Sequence, residues 1–161
     1  IYGALKDFAI VTGDSIWTLL ISDGERLTSN FIVAMNPAEK ILPDWFTVKE
    51  DGTFGWSQYH NRQSGWDAIR CPLYAYWYNS NHPWVNLWKA WYEKYGNDVS
   101  RLPARVDIAT SGVADAMYST YTGFKAVFNL VKNDKATTNI SEVSYYLDSL
   151  EFLCWLALNH Y

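Results

Sequence analysis

The segment from Ser64 to Leu73 combines residue types that acid–base chemistry requires. It reads Ser-Gly-Trp-Asp-Ala-Ile-Arg-Cys-Pro-Leu, and Asp67 stands three residues before Arg70. Residues three apart share one face of a helix. Such a pair holds one carboxylate beside one guanidinium, and a nearby cation favours the ionised form of a carboxylate. The pair is therefore a candidate for acid–base chemistry.

Aromatic side chains surround this segment in the sequence. The nearest are Trp56, Tyr59, Tyr74, Tyr76, Trp77 and Tyr78, and the whole chain has 9 Trp and 12 Tyr. Such rings either pack a core or a subunit interface, or offer flat faces on which sugar rings stack. A charge pair inside an aromatic wall is what a carbohydrate-cleaving cleft needs. The candidate substrate-binding residues are Trp45, Trp56 and Tyr59, for which core packing is the competing interpretation.

Asp67 also has a purely structural interpretation. If a helix begins after Ser64, Ser64 is its N-cap and Asp67 occupies the acidic position of a capping box. The capping role and the role of a base are compatible. Arg70 is accordingly either a supporting residue or a structural one. Asp44, which follows Pro43, is predicted to be a turn or cap residue.

The elements around this segment are predicted to be mostly α-helical. Apolar spacing predicts helices over 14–29 (interrupted near Gly24), 64–78, 83–95, 114–131 and 139–157, about five in all. An apolar run, 31–35, ends at a turn at Asn36-Pro37. A hairpin is predicted from 45–48 and 54–56, with Asp51-Gly52 supplying positive φ values at the turn. Residues 102–113 are expected to be irregular or locally extended.

Composition excludes several partners. The net charge is −4 without a basic stripe, so neither nucleic acid nor an anionic membrane surface is an expected partner. No apolar run approaches the roughly 20 residues that span a bilayer. The two cysteines, Cys71 and Cys154, are expected to be buried thiols, and no metal or other cofactor is predicted. Residues 1–161 are expected to form one domain, and the start at Ile1 suggests a processed chain or a fragment.

Three segments in order resemble the C-terminal half of glycoside hydrolase family 8. They are Leu42-Pro43-Asp44-Trp45, then the nine residues from Gly65 to Leu73, then Tyr145 to Leu150. The resemblance implies about half of an (α/α)6 barrel. It also implies a bacterial enzyme, extracellular or periplasmic, that cleaves β-1,4-linked polysaccharide, most simply glucan.

The resemblance further implies an inverting mechanism. Such enzymes use one carboxylic acid to protonate the leaving oxygen and one carboxylate to activate water, roughly 6.5–9.5 Å apart. The family's base corresponds to Asp67, with Arg70 and Trp66 as supporting residues. Members of the family often have tyrosine immediately before this aspartate, and Trp66 departs from that pattern.

The family's general acid has no counterpart in this chain. That acid is a glutamate in a Ser-Glu-Gly-Gln-type segment, and none of the six glutamates here precedes glycine. Ala114-Asp115-Ala116 only superficially resembles the family's Ala-Ser-Asp-x-Asp segment, whose aspartate binds the sugar at the cleavage point. We therefore expect a second polypeptide to carry the N-terminal half of the barrel. The alternatives are a non-catalytic carbohydrate-binding or structural remnant, and another toroidal enzyme with a chance resemblance.

Overall fold

The structure is a computed structural model that describes residues 2–113, 117–133, 135 and 144–159. Within these ranges it is mostly helical, as predicted, with short antiparallel strands. The helices are α1 (Tyr2–Thr12), α2 (Ile16–Met35), α3 (Arg70–Tyr78), α4 (Pro83–Lys94), α5 (Thr122–Asn133) and α6 (Tyr145–Asn159). The strands are β1 (Phe46–Val48), β2 (Phe54–Trp56), β3 (Gln63–Ser64), β4 (Val106–Asp107) and β5 (Gly112–Val113).

The first two helices differ from the prediction. α1 was not predicted, and α2 continues through Gly24 and the apolar run 31–35 instead of breaking. It ends at Asn36, whose left-handed conformation (φ 44°) directs its N–H to the carbonyl of Ile32. Gly24 lies where α1 packs closely, because an added Cβ would come 2.6 Å from the Tyr2 hydroxyl. The glycine that suggested an interruption therefore permits a helix–helix contact.

The predicted hairpin is confirmed. β1 and β2 pair antiparallel with Phe46 opposite Trp56. Of the turn residues Asp51 and Gly52, only Gly52 has positive φ (78°), so the expectation that both supply it was wrong. The Phe46 ring packs 4.5 Å from the ring of Phe31 in α2, which fixes the hairpin against the helical core.

α4 has the boundaries that its sequence predicts. Pro83 opens it, and His82 caps it by accepting the Trp84 N–H on Nδ1 at 3.1 Å. The His82 ring is buried, and its Nε2 lies 2.8 Å from a carboxylate oxygen of Glu25 in α2. Through this contact the His82 cap also joins α4 to α2. Gly96 follows the helix with φ 72°.

The C-terminal elements agree in part with prediction. Residues 106–107 and 112–113 form short strands, which confirms local extension there. The helix predicted over 114–131 begins only at Thr122, because a 3₁₀ turn, Tyr118–Thr120, precedes it. Ala114–Ala116, the Asn139 cap and the Glu142 capping-box position lie outside the described residues. The apolar stripe of the last helix is confirmed, with Leu150, Cys154 and Ala157 buried.

The contact between α5 and α6 gives a test of this packing. A Cβ at Gly123 would lie 2.7 Å from the backbone oxygen and 3.0 Å from the Cα of Leu147. Because backbone cannot yield as a side-chain tip can, we expect Gly123→Ala to lower the free energy of unfolding by about 1–3 kcal/mol. Gly3→Ala is the matched control, since its Cβ meets only the Trp77 ring at 3.7 Å or beyond. That variant should be neutral or slightly stabilising. Equal urea-unfolding midpoints for the two variants would contradict this account of the contact.

Candidate active site

The turn that carries Asp67 is held by a carboxylate from another part of the chain. Residues 65–69 form a turn between β3 and α3. Oδ1 of Asp44 accepts the backbone N–H groups of Gly65 (2.9 Å), Asp67 (3.1 Å) and Ala68 (2.7 Å). Burial raises the pKa of Asp44, and these three donors partly offset that effect. Asp44 is thus a cap residue, as predicted, and the group that it caps is the turn containing Asp67.

Gly65 allows the chain to pass close to its neighbours in this turn. A Cβ there would meet Cγ of Arg105 at 2.8 Å and Oδ2 of Asp44 at 3.4 Å. The glycine therefore serves the close approach of Asp44 to the turn.

The proposed capping box is not present. Ser64 lies in β3, α3 begins only at Arg70, and the residue at its N-cap position, Ile69, makes no side-chain capping bond. The prediction that Ser64 starts the helix was therefore wrong, because Asp44 already satisfies the backbone donors that a local cap would serve. Pro72 falls in the first turn of α3, where proline is tolerated.

The Asp67 carboxylate is instead held by two side-chain donors. A guanidinium nitrogen of Arg70 lies 2.5 Å from Oδ1. Nε1 of Trp45 donates to Oδ2 at 3.1 Å. The side chains of Asp67 and Arg70 are 41% and 40% exposed, so the carboxylate remains accessible to water and ligand. The sequence identified the Asp67–Arg70 pair; the contribution of Trp45, 22 residues away, carried no sequence signal.

A cavity of about 360 Å³ opens beside this carboxylate. It is lined by Tyr2, Asp67, Arg70, Cys71, Tyr74 and Trp84. Its walls are mainly aromatic, in keeping with a site that binds flat-faced, polar-edged rings. Among these lining residues Asp67 is the single carboxylate.

The three candidate substrate-binding aromatics occupy different environments. Trp45 is half exposed, and one face of its indole stacks on the His60 ring at 4.6 Å. Tyr59 is almost fully exposed. Trp56 packs edge-on against Phe31 at 5.8 Å and belongs with the core. Trp45 is the one of the three that directly contacts Asp67.

Trp66 is enclosed by aromatic rings. Tyr121, Phe124 and Tyr146 surround its indole at 4.8–5.7 Å in edge-on geometry. The Tyr146 hydroxyl donates to the Trp66 carbonyl. Burial raises the pKa of Tyr146 to about 12, so this donor stays protonated. The Tyr146 bond fixes the backbone just before Asp67, and the supporting role that the resemblance implies for Trp66 stays a prediction.

Neither cysteine is suited to chemistry. Cys154 is fully buried and Cys71 partly so, and neither forms a disulfide. Burial raises the pKa of the Cys71 thiol to about 12 and that of Cys154 further, which keeps both protonated. Among the described residues no group of three or more His, Cys, Asp or Glu side chains could hold a metal ion. Nor does any helix in these ranges have the length and apolar character to cross a membrane.

The comparisons with known proteins identify the class to which this helical architecture belongs, the glycoside hydrolases. The model of the family described as glycosyl hydrolases family 8 matches residues 1–160. This chain belongs to glycosyl hydrolase family 8. An endoglucanase of Cellulomonas uda is 31% identical over 115 residues, which are 71% of this chain and 30% of that protein.

Solved structures give the same result for the fold. A family 8 endo-β-1,4-glucanase from an Achatina fulica gut metagenomic library superposes with a TM-score of 0.84 at 29% identity. The match covers 99% of this chain and 49% of that one. Endoglucanase Cel10 of Klebsiella pneumoniae, also of family 8, gives a TM-score of 0.84 at 28% identity, with 97% and 49% coverage. The chain thus corresponds to about half of an (α/α)6 barrel and spans about half the length of these solved relatives.

Proposed function

We propose that this chain is the C-terminal part of an inverting endo-β-1,4-glucanase in which Asp67 is the general base. The observation that carries the proposal is the Asp67 carboxylate, held by Arg70 and Trp45 at the wall of an aromatic cavity. Family membership and the endoglucanase relatives support glucan as the substrate. In this role Asp67 removes a proton from the water that attacks the anomeric carbon, while an acid on the other side protonates the leaving oxygen.

Asp67 is suited to this role by its surroundings. A base must be ionised before the reaction and accessible to the attacking water. The Arg70 guanidinium lies 2.5 Å from one carboxylate oxygen, and the 41% exposure of the Asp67 side chain leaves room for water. Each carboxylate oxygen has one protein donor and therefore still has lone-pair capacity for a water molecule.

The general acid in this proposal comes from a second polypeptide that carries the N-terminal half of the barrel. The described glutamates give no candidate beside Asp67. Glu39 is buried between Lys94 and Trp91, at 2.7 and 2.8 Å, and Glu25 is paired with His82. The cavity lining contains no glutamate. An acid from outside these residues must therefore complete the site.

The surface of α1 and α2 supports such a partner. Large apolar side chains are exposed there, among them Phe8 (49%), Ile10 (72%), Val11 (82%), Leu19 (54%) and Val33 (80%). Exposed apolar surface on this scale is typical of interaction sites. The missing half of the barrel fits this surface, since the solved relatives are about twice the length of this chain. In this proposal the enzyme acts outside the cytoplasm, in the periplasm or the medium, where its polysaccharide substrate is found.

The decisive experiment measures hydrolysis of a soluble β-1,4-glucan by the chain alone and after mixing with a complementing half. That half is the N-terminal part of a family 8 endoglucanase with its Ser-Glu-Gly-type segment. We expect no turnover from the lone chain, turnover from the mixture, and a product whose anomeric configuration is inverted by NMR. The matched control is the same mixture with glutamine in place of the glutamate in that segment.

Three results would decide against parts of the proposal. Turnover by the lone chain would contradict the need for a second half. Retention of configuration would contradict the inverting mechanism. An assembled complex of both halves, verified by native mass measurement, that binds glucan without cleaving it would favour a non-catalytic carbohydrate-binding role.

A further inference from the structure

We propose that Trp45 is a positioning residue for the Asp67 carboxylate, acting through its indole N–H. The inference deepens the proposed function and rests on it, because fixing Asp67 matters for catalysis only if Asp67 is the base. From the sequence, Trp45 is either a platform for a sugar ring or a residue of the core. Its indole nitrogen instead lies 3.1 Å from Oδ2 of Asp67, within hydrogen-bonding distance.

Two adjacent residues fix the main chain and the side chain of Asp67 separately. Asp44 accepts the backbone N–H of Asp67 at 3.1 Å. Trp45, the next residue, donates to the carboxylate of the same Asp67. The dipeptide Asp44-Trp45 therefore sets both where the residue lies and which way its carboxylate faces. Arg70 alone would not do this, since it belongs to the same short segment and moves with it.

A second Asp–Arg pair in this chain shows what the indole adds. Asp23 and Arg26 have the same three-residue spacing and a 2.9 Å contact, but their side chains are 62% and 71% exposed. Exposed pairs of this type hold one geometry weakly. In the Asp67–Arg70 pair, by contrast, the carboxylate accepts a second hydrogen bond, from the indole N–H of Trp45. The indole N–H is neutral, so it can favour the ionised carboxylate without placing another cation in the cavity.

The indole is itself held in place. The ring of His60 stacks on it at 4.6 Å with an interplanar angle of 17°. This stacking covers one indole face and fixes the plane in which Nε1 points at Asp67. Trp45 is 50% exposed, so a hydrogen bond at the ring edge and contact of the ring with a ligand are compatible.

A spectroscopic test uses the 161-residue chain itself. We expect the Trp45 indole N–H resonance to lie at a hydrogen-bonded position in wild type at one fixed pH, and to move to the position of an indole without an acceptor in Asp67→Ala. Trp45→Phe should in turn move the Asp67 carboxyl ¹³C resonance at the same pH, because its indole donor is lost. Trp17→Phe is the matched control, since it removes an indole donor to the neutral Thr12 hydroxyl at 3.0 Å.

Other charged or titratable groups near Asp67 or Trp45 are common to wild type and Trp45→Phe. They are Asp44, Arg70, Cys71 and Tyr146 around the carboxylate, Tyr2 and Tyr74 in the cavity wall, and His60 on the indole. A difference between the two carboxyl resonances at one pH therefore reports the indole donor. A Trp45 resonance that is unchanged in Asp67→Ala, or a carboxyl resonance that is unchanged in Trp45→Phe, would overturn the proposal.

A kinetic test with the reassembled enzyme separates positioning from stacking. Trp45→Phe retains a flat aromatic face but has no N–H. We expect kcat to fall about 3–10-fold, with KM within about twofold of wild type. A rise in KM with unchanged kcat would identify Trp45 as a platform alone. If the reassembled enzyme is inactive with either residue, the proposed function fails, and the spectroscopic result still decides whether the hydrogen bond exists.

Discussion

Asp67→Asn is expected to reduce kcat of the reassembled enzyme by about 10²–10⁴-fold, the range for loss of a general base. The amide is nearly isosteric with the carboxylate but cannot accept the proton of the attacking water. KM should change little, because the flat aromatic faces around the cavity remain. The measurement is initial-rate kinetics on a soluble β-1,4-glucan.

The stability of the same variant should stay close to wild type. Asp67 and Arg70 are each about 40% exposed, and exposed ion pairs contribute little to folding. Asp23→Asn is the control, because it removes the carboxylate of the other Asp–Arg pair with three-residue spacing. It should leave kcat unchanged. Wild-type turnover by Asp67→Asn would remove Asp67 from the role of base.

Asp44→Ala is expected to lower the free energy of unfolding by about 2–4 kcal/mol. The substitution leaves three backbone N–H groups, those of Gly65, Asp67 and Ala68, without their acceptor. Urea unfolding of the 161-residue chain measures the loss. Asp98→Ala is the control, because Asp98 accepts the local Ser100 N–H at 2.9 Å in an exposed turn. It should cost less than about 1 kcal/mol.

Asp44→Asn separates hydrogen bonding from charge. All three donors reach the same oxygen, Oδ1, which an asparagine side chain also provides. Burial raises the pKa of Asp44 in the folded chain. Wild-type stability should therefore fall relative to Asp44→Asn as the pH rises from about 3.9, the unfolded value, through the folded pKa. Equal destabilisation by alanine and asparagine, without pH dependence between them, would contradict this account.

The sequence predicted those parts of the fold that depend on neighbours along the chain. α4 follows from Pro83 and Gly96 at its ends, and the hairpin follows from a turn with glycine between apolar runs. Both elements are determined by residues that lie within a few positions of one another along the chain. The apolar stripe of α6 was equally visible, because helical periodicity is also local.

The errors in the prediction that bear on the site involve distant contacts, as does the unpredicted approach of α1 to α2. Gly24 suggested a helix break, but its role is to admit the Tyr2 ring from α1. Ser64 suggested a cap, but the backbone donors beyond it are satisfied by Asp44, about twenty residues earlier. The Trp45 bond to Asp67 spans 22 residues. Residue types and spacing identify the chemical pair at the site, whereas the groups that orient it are set by tertiary structure.

The hydrogen bonds from the 65–68 backbone to Asp44 also close a loop, and that loop contains the whole hairpin of β1 and β2. The entropy of closing a loop rises slowly with its length, by about 0.6 kcal/mol for each doubling. The tip of the hairpin at Asp51-Gly52 can therefore gain or lose residues with little effect on the point of closure. The length of the hairpin tip can therefore change without displacing Asp67, which is held at the base of the loop.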